Sequence, residues 1–228
     1  MKRLLIIPAR IGSKRIKKKN IKNFCGKPII YYSINSALKS KLFAKIHVST
    51  DSLLISNIAK KYAISTDFLR PKNLSDDKTK LIDVYRYVVK EYLVRNLKFD
   101  EIWFLSACSP LVEANNLKKA ANFFNKNINN SFLSINKCST PVQWSMQLRK
   151  DKKLFPLFPN LRNVRSQDLK SYYIDNGAFG AYKSEIFYKN KKINYAGYNM
   201  NNIEVPDIDN QFDWSLTEML YKLKKTKF

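Results

Sequence analysis

The sequence predicts an α/β fold in which a mostly parallel sheet lies between two layers of helices. Short apolar segments alternate with segments of helical periodicity along most of the chain, which is typical of repeated strand–helix units. An apolar content of 45% and an aromatic content of 13% favour a folded globule over a disordered chain. The length of 228 residues suits one such domain with a small additional lobe.

The predicted strands are short apolar segments, each followed by a turn. They are Arg3–Ile7, Lys45–Ser49, Glu101–Leu105, Ser131–Ile135 and Asn176–Tyr182. The predicted helices have apolar residues at every third or fourth position. They are Pro28–Ser40, Leu53–Tyr62, Thr79–Asn96, Asn115–Lys126 and Phe212–Lys225. In the last helix the residues expected to face inward are Phe212, Leu216, Met219, Leu220 and Leu223. Before this helix, Ile203–Pro206 is expected to lead into a turn at Asp207–Asn210.

The alternation of strands and helices fails between Cys138 and Tyr173. This stretch contains Pro141, Pro156 and Pro159 among many aromatic and basic residues. A long irregular insertion in a compact domain is usually functional or part of an interface. We therefore predict a single domain, residues 1–228, with an inserted arm at 138–173 that contacts a second subunit in a homodimer.

The chain is strongly basic, with 42 Lys and Arg against 18 Asp and Glu and a net charge of +24. Such a charge raises the possibility of nucleic-acid binding. The lysines, however, recur along the whole chain instead of forming one stripe, so we attribute the charge mainly to composition and expect no nucleic-acid partner. A positive field would still attract a small polyanionic substrate.

Membrane and metal-thiolate classes receive no support from the sequence. No apolar run approaches the ~20 residues that cross a bilayer, so no membrane partner is expected. Cys25, Cys108 and Cys138 lack the paired spacing of zinc sites. With no recognisable signal peptide, these scattered thiols predict a reducing cytoplasm.

A cation-rich turn follows the first predicted strand in the segment IIPARIGSKRIKKKN, residues 6–20. Gly12 and Ser13 allow a tight turn whose N–H groups can face an anion. Ligands of open α/β sheets bind at the carboxyl ends of strands, where Arg10, Lys14 and Lys19 would neutralise phosphates. No phosphate-binding P-loop or dinucleotide fingerprint is present. The same residues also suit a solvated basic loop, and spacing alone does not separate the two interpretations.

Two carboxylates, Asp207 and Asp209, lie one residue apart near the C-terminus. Side chains alternate in an extended segment, so both carboxylates would face the same side. Mg²⁺ prefers one or two carboxylates together with substrate phosphates. Turn formation and helix capping are the alternative roles. Because acidic residues are few in this chain, the close pair is notable, and a Mg²⁺ site and a turn or capping role both stay open.

Some prominent residues are expected to be structural. His47 is the only histidine and lies within a predicted strand, which favours a packed role over a catalytic one. Arg15, Lys17 and Lys18 are interpreted as solvated charges.

Eight short segments together resemble the acylneuraminate cytidylyltransferases, which comprise the CMP-sialic acid synthetases and their pseudaminic- and legionaminic-acid relatives. The segments follow the order of that family along nearly the whole chain. They are IPARIGSKRIKKKNI at 7–21, GKPII at 26–30, VSTDS at 48–52, LRP at 69–71, SPL at 109–111, RSQDL at 165–169, NGAF at 176–179 and DID at 207–209.

This resemblance implies a three-layer Rossmann-like nucleotide-diphospho-sugar transferase fold with an inserted dimerisation arm. It also implies the reaction: CTP and a keto-sugar acid give a CMP-sugar and pyrophosphate, with Mg²⁺ as cofactor. The nucleotide-binding residues that it implies are Ala9, Arg10, Gly12, Ser13, Lys14, Lys19, Asn20, Arg70 and Thr79. The implied catalytic residues are Lys19, Asp209 and Arg10, and the implied metal ligands are Asp207 and Asp209. The implied sugar-binding residues are Ser106, Arg165, Gln167 and Asn176.

The sugar-binding segments depart from the sialic-acid pattern. Where those enzymes carry Q-P-T-S-P, this chain has SACSP at 106–110, and Ile174 replaces an arginine near the sugar acid. Arg165 and Gln167 are candidates to replace the missing polar contacts. The RSQDL segment is more similar to the pseudaminic-acid branch, whereas NGAF is more similar to the sialic and legionaminic branches. The identity of the substrate sugar acid therefore stays undetermined, and pseudaminic-type acids are favoured.

Two other functions are considered. One is a cytidylyltransferase for the eight-carbon keto-sugar acid of lipopolysaccharide, which shares IPAR and GKP but typically has a Pro-Gly-Lys run where this chain has Lys17–Asn20. The other, more distant, is a basic nucleic-acid-binding protein, which would show a steep salt dependence.

Overall fold

A computed structural model describes residues 1–200 and 206–226 of the chain. In the described part the strands are β1 Arg3–Pro8, β2 Asn23–Phe24, β3 Lys27–Pro28, β4 Lys45–Ser49, β5 Glu101–Leu105, β6 Ser131–Lys137, β7 Met146–Leu148, β8 Leu154–Pro156, β9 Tyr173–Lys183 and β10 Tyr195–Asn199. The α-helices of the same part are α1 Ile30–Ser40, α2 Leu53–Lys61, α3 Leu81–Val94, α4 Ala114–Lys126, α5 Glu185–Tyr188 and α6 Gln211–Thr226.

The central sheet has six strands in the order β10-β6-β9-β5-β1-β4. β1 pairs in parallel with β4 and β5, and β10 pairs in parallel with β6. Only β9 runs the other way among these six, antiparallel to both β5 and β6. The prediction of an α/β fold with a mostly parallel sheet is confirmed.

Helices cover both faces of the sheet and form the predicted three layers. α1, α2 and α4 pack on one face, where Trp103 of β5 is fully buried. α3 and α5 pack on the other face, against the adjacent residue Phe104. Because successive side chains of a strand point to opposite faces, β5 contributes to both cores, and all five of its residues are buried.

The predicted elements match the observed ones closely in the first half of the chain. The strands at 45–49 and 101–105 have the predicted bounds, and no helix end in this half differs by more than two residues. His47 is buried, stacks on Phe68 with ring centroids 4.4 Å apart, and is packed as predicted. Burial lowers the pKa of His47 to about 4, so its imidazole stays neutral near pH 7.

The prediction for the inward face of α6 is wrong for Phe212, Leu216, Met219 and Leu223 and is confirmed for Leu220, which packs against the main core. Phe212, Met219 and Leu223 are mostly exposed, whereas Trp214 and Thr217 are buried. Trp214 packs edge-to-face on Phe24 at 5.5 Å, and the aromatic contacts of this cluster set the orientation of the helix. The expected segment at 203–205 lies outside the described residues.

The arm, residues 138–173, contains the short hairpin of β7 and β8 and several single helical turns. Its surface exposes large apolar side chains, namely Leu148, Leu154, Leu157, Phe158 and Leu161. The single-domain boundary and the role of the arm in a dimer stay predictions.

Candidate active site

A cavity of about 320 Å³ opens at the edge of the sheet where β1 and β5 end and β9 enters. This is the edge where α/β sheets bind their ligands. Its walls bring together the turn after β1, the start of α3, the end of β5 and the segment before α6. They are formed by Pro8, Arg10, Ser13, Lys14, Arg15, Ile16, Lys19, Asn20, Arg70, Leu81, Tyr85, Phe104, Ser106, Gly177, Asp207 and Asp209.

The turn after β1 is fixed to the protein by buried contacts. Ile16 is buried in the aromatic cluster of Phe24 and Trp214. The side-chain amide of Asn20 donates to the Arg10 carbonyl over 2.8 Å, and its Oδ1 accepts from the Cys108 thiol over 3.2 Å. These contacts hold the basic segment at the cavity and distinguish it from a solvated tail.

Two cations of this turn converge on one carboxylate. Arg10 Nη1 lies 2.6 Å from Asp77 Oδ1, and Lys14 forms an ion pair with Asp77 Oδ2. The hydrogen bond from Lys14, followed by that from Arg10, lowers the pKa of Asp77. Asp77 thus marks a position where Arg10 and Lys14 can together hold an anion such as a phosphate.

Lys19 joins the turn to the Asp207–Asp209 segment. Its Nζ donates to the Ile208 carbonyl over 2.5 Å and lies 3.8 Å from Asp209 Oδ1. Arg15 Nη2 lies 2.7 Å from the same Asp209 oxygen. Arg15 was interpreted as a solvated charge, and its side chain is 68% exposed, but it also forms part of the cavity wall.

Helix capping at α6 is carried out by residues other than the two predicted metal ligands. Asp213 Oδ2 accepts from the backbone N–H groups of Asp209 and Asn210 over 2.9 and 3.0 Å. Asn210 Oδ1 accepts from the Asp213 N–H over 3.0 Å. This reciprocal pair satisfies the start of the helix, so the carboxylates of Asp207 and Asp209 are available to the cavity.

The environment of Asp207 favours a nearby cation. Desolvation, followed by the negative charge of Asp209, raises the pKa of Asp207. Gly177 has a φ of +64°, and a Cβ there would lie 3.8 Å from Asp207 Oδ2. A glycine adopts this backbone conformation without strain and leaves space beside the carboxylate.

The donor set fits a Mg²⁺ ion that is shared with a substrate. Within residues 1–200 and 206–226, no group of three His, Cys, Asp or Glu side chains forms a metal cage. Two carboxylates that face a cavity beside phosphate-binding cations match the usual Mg²⁺ arrangement, in which substrate phosphates and water complete the coordination.

Further lining residues of the cavity come from α3, from β5 and from the segments next to them. Arg70 is buried and donates through Nη2 to the Ser49 carbonyl over 3.2 Å. The ring of Tyr85 stacks on Phe104 with centroids 5.3 Å apart and an interplanar angle of 15°. Ser106 follows β5, and its carbonyl accepts from the Ser33 hydroxyl over 2.7 Å. Tyr85, Phe104 and Gly177 line the cavity but were not among the predicted site residues, although Gly177 lies within the NGAF segment.

Several residues implied by the resemblance do not line the cavity. Three of them, Ala9, Gly12 and Thr79, lie within two residues of a lining residue along the chain but do not belong to the cavity wall themselves. Arg165 and Gln167 belong to the arm, where Arg165 Nε pairs with Asp168 over 2.9 Å. Asn176 is buried, and its Oδ1 accepts from the Ser134 hydroxyl over 2.6 Å. The roles suggested for these residues stay predictions.

The sequence matches known proteins along nearly its whole length. Residues 4–225 match the profile of a family described as cytidylyltransferase. The chain is 34% identical to the pseudaminic acid cytidylyltransferase of Campylobacter jejuni serotype O:23/36, over 98% of this chain and 97% of that protein. It is 31% identical to the CMP-N,N'-diacetyllegionaminic acid synthase of Legionella pneumophila, over 99% of this chain and 98% of that protein.

Solved structures show the same fold at low sequence identity. A CMP:2-keto-3-deoxy-manno-octonic acid synthetase complexed with CTP superposes with a TM-score of 0.72 at 16% identity, over 100% of both chains. The 4-diphosphocytidyl-2C-methyl-D-erythritol synthase of Anaerococcus prevotii superposes with a TM-score of 0.58 at 13% identity, over 97% of this chain and 98% of that chain. At these identities the likeness concerns the fold alone.

Proposed function

Because the chain belongs to the cytidylyltransferase family and is a CTP-dependent nucleotidyltransferase, we propose that it transfers CMP to the anomeric hydroxyl of a nonulosonic acid and releases pyrophosphate. One observation carries the proposal. A cationic turn and a carboxylate pair face each other across one cavity, joined by the 2.5 Å hydrogen bond from Lys19 to Ile208. A triphosphate needs both groups, the cations for its oxygens and the carboxylates for its metal ion.

We favour a nonulosonic acid of the pseudaminic type. The C. jejuni relative named for pseudaminic acid covers nearly the whole chain at 34% identity, and the relative named for legionaminic acid follows at 31%. The octonic acid synthetase shares 16% identity, which concerns the fold alone, so the eight-carbon acid remains the secondary candidate.

In the proposed reaction the oxygen of the anomeric hydroxyl attacks the α-phosphorus of CTP. The bond from that phosphorus to the bridging oxygen of the β-phosphate breaks, pyrophosphate leaves, and the hydroxyl proton is released. Arg10, Lys14 and Lys19 hold and neutralise the triphosphate, with the first two exchanging Asp77 for phosphate oxygens. Arg15 is placed at the same wall, 2.7 Å from Asp209. Most of the rate enhancement would then come from positioning and charge neutralisation.

Asp207 and Asp209 are the residues that would hold Mg²⁺. When bound, the ion polarises the α-phosphate and offsets the charge of the leaving pyrophosphate. The raised pKa of Asp207 is consistent with a site that is completed by a cation.

A coupled pyrophosphate assay tests the function. Purified protein with CTP, Mg²⁺ and a panel of sialic, legionaminic, pseudaminic and eight-carbon keto-sugar acids is expected to release pyrophosphate, fastest with a pseudaminic-type acid. Reactions without sugar acid, and reactions with EDTA, are the controls. Absence of release with every nonulosonic acid would contradict the proposal, and salt-sensitive retention on DNA or RNA without release would favour the nucleic-acid alternative.

We further propose a homodimer formed through the arm. The arm exposes a set of large apolar side chains, a feature that marks interaction surfaces in soluble proteins.

Light scattering at micromolar concentration is expected to give the mass of two chains. Replacing both Leu154 and Leu157, which are 59% and 58% exposed, by Asp is expected to shift the mass towards one chain. The matched control is Val94→Asp at the end of α3, 72% exposed and outside the arm, which should leave the dimer intact. A wild-type protein with the mass of one chain contradicts the dimer.

A cytoplasmic location is part of the same proposal. Cys25, Cys108 and Cys138 are free thiols, which suits a reducing compartment. In the described ranges, no helix is both long enough and apolar enough to span a bilayer.

A further inference from the structure

Tyr85 places an unpaired polar group at the cavity. The residue lies in the second turn of α3, is 2% exposed and forms part of the cavity wall. Its hydroxyl has no hydrogen-bond partner among the residues that the structure describes. Buried polar groups are nearly always paired in native proteins, because an unpaired group loses its hydration without compensation. The position of this hydroxyl therefore calls for a partner that is supplied by a ligand.

A second unpaired donor lies on the same wall. Arg70 is 6% exposed, and its Nε has no partner in the described part of the chain. Among the described residues its guanidinium forms no ion pair, and Nη2 donates to the Ser49 carbonyl over 3.2 Å. Burial raises the pKa of Tyr85 well above its usual value, so its hydroxyl keeps its proton and can donate at neutral pH. Two buried donors on one wall match a ligand group that is rich in acceptor oxygens.

The contacts of Tyr85 place its ring beside the carboxyl end of β5. Its ring stacks on Phe104, which lies two residues before Ser106. A Cβ at Gly180 of β9 would come within 2.7 Å of the Phe104 ring, so this glycine allows Phe104 to occupy its position under Tyr85. Phosphates already have Arg10, Lys14 and Lys19 among the lining residues. Ser106, which directly follows β5, is one of the residues implied for sugar binding, so the sugar acid is the substrate assigned to this part of the cavity.

We propose that the Tyr85 hydroxyl donates a hydrogen bond to an acceptor oxygen of the bound nonulosonic acid, and that Tyr85 is thereby a specificity-determining residue for the sugar. This inference rests on the proposed function and adds a residue to it. Arg70, which the resemblance implies for the nucleotide, interacts electrostatically with both Arg10 and Tyr85, so its charge acts on both parts of the cavity.

The test compares Tyr85→Phe with the wild-type enzyme in the pyrophosphate assay and in thermal unfolding without ligand. We expect KM for the sugar acid to rise about ten-fold, the effect of one lost hydrogen bond, while KM for CTP changes less than about two-fold. The ligand-free Tm is expected to stay equal or rise, because the variant removes a buried hydroxyl that has no partner.

Tyr92→Phe in the same helix is the matched control. Tyr92 is fully buried, and its hydroxyl donates to Asp67 Oδ2 over 3.0 Å and lies 3.2 Å from His47 Nδ1. This control is expected to lower the Tm and leave both KM values unchanged.

In an active enzyme, an unchanged KM for the sugar acid in Tyr85→Phe overturns the inference, as does a rise in KM for CTP alone. A lower ligand-free Tm with unchanged kinetics assigns the hydroxyl a structural role and also overturns it. Absence of turnover in the wild-type enzyme contradicts the proposed function itself, which separates the two failures.

Discussion

Replacing Asp209 by Asn is expected to lower kcat at least ~10³-fold, equivalent to ~4 kcal/mol of transition-state stabilisation, while the protein stays folded. The substitution keeps the size of the side chain and removes the charge that would bind Mg²⁺. It also removes the partner of Arg15, whose Nη2 lies 2.7 Å from Asp209 Oδ1. The cap of α6 is retained, because Asp213 accepts from the backbone N–H of residue 209 and not from its side chain.

Three measurements check this expectation. The pyrophosphate assay gives kcat, calorimetry with Mg²⁺ and CTP gives the affinity for the metal–nucleotide complex, and thermal unfolding reports the fold. Asp83→Asn removes one negative charge from α3, where Asp83 pairs with the exposed Arg86 over 3.0 Å, and should leave kcat unchanged. Near-normal turnover of Asp209→Asn would contradict the metal assignment.

Replacing Lys19 by Met is expected to lower kcat/KM by about 10²–10³-fold, the usual loss when one preorganised charged donor is removed from a transition state. Lys19 is partly buried and makes two contacts with the Asp207–Asp209 segment, of 2.5 and 3.8 Å. Methionine fills a similar volume without a charge. The cationic turn then loses both its central charge and its hydrogen bond to the opposite wall.

Lys17→Met is the control for Lys19→Met. Lys17 belongs to the same turn, is exposed and lies outside the cavity wall, so both variants lose one positive charge from the same segment. Initial-rate kinetics with varied CTP should show a large loss only for Lys19→Met. Equal losses in the two variants would indicate that the turn acts through its overall charge, and equal retention of activity would remove Lys19 from the mechanism.

The centre of the fold was predictable because several local signals agree there. β4 and β5 are short apolar segments followed by polar turns, and they have the predicted bounds. A buried parallel strand is apolar on both faces, so its signal is strong and does not depend on the rest of the chain. The helices between these strands also carry a local signal, because apolar residues recur at every third or fourth position of their sequence.

The edge strand of the sheet, the direction of β9 and the inward face of α6 depend on tertiary contacts that the local sequence pattern does not show. β10, with the sequence YAGYN, lies at the edge of the sheet, has exposed residues and a glycine, and carries little apolar signal. The reversal of β9 follows from the long arm that precedes it, which a strand–helix rhythm does not encode. In α6 the apolar stripe of Phe212, Met219 and Leu223 resembles a core face, but Trp214 makes the contacts with the aromatic cluster.

The sequence was sufficient to predict which segments form the site. It was less informative about which individual residues of those segments make contacts there. The order of motifs identified both the cationic turn and the Asp207–Asp209 pair. The sequence could not rank Arg15 against Lys17, because neighbouring cations differ only in what lies opposite them in space. Tyr85 carried no signal, since a tyrosine at a helical core position is ordinarily a packing residue.

β9 gives the arm a direct mechanical connection to the cavity. The strand begins at Tyr173, half-exposed where the arm ends, and reaches Gly177 at the cavity four residues later, about 13 Å along an extended chain. Residues 173–175 already pair with β6, and beyond Gly177 the strand continues between β5 and β6 in the middle of the sheet. The end of the arm and Gly177 therefore belong to one continuous, hydrogen-bonded strand, so the sheet fixes the position of one relative to the other.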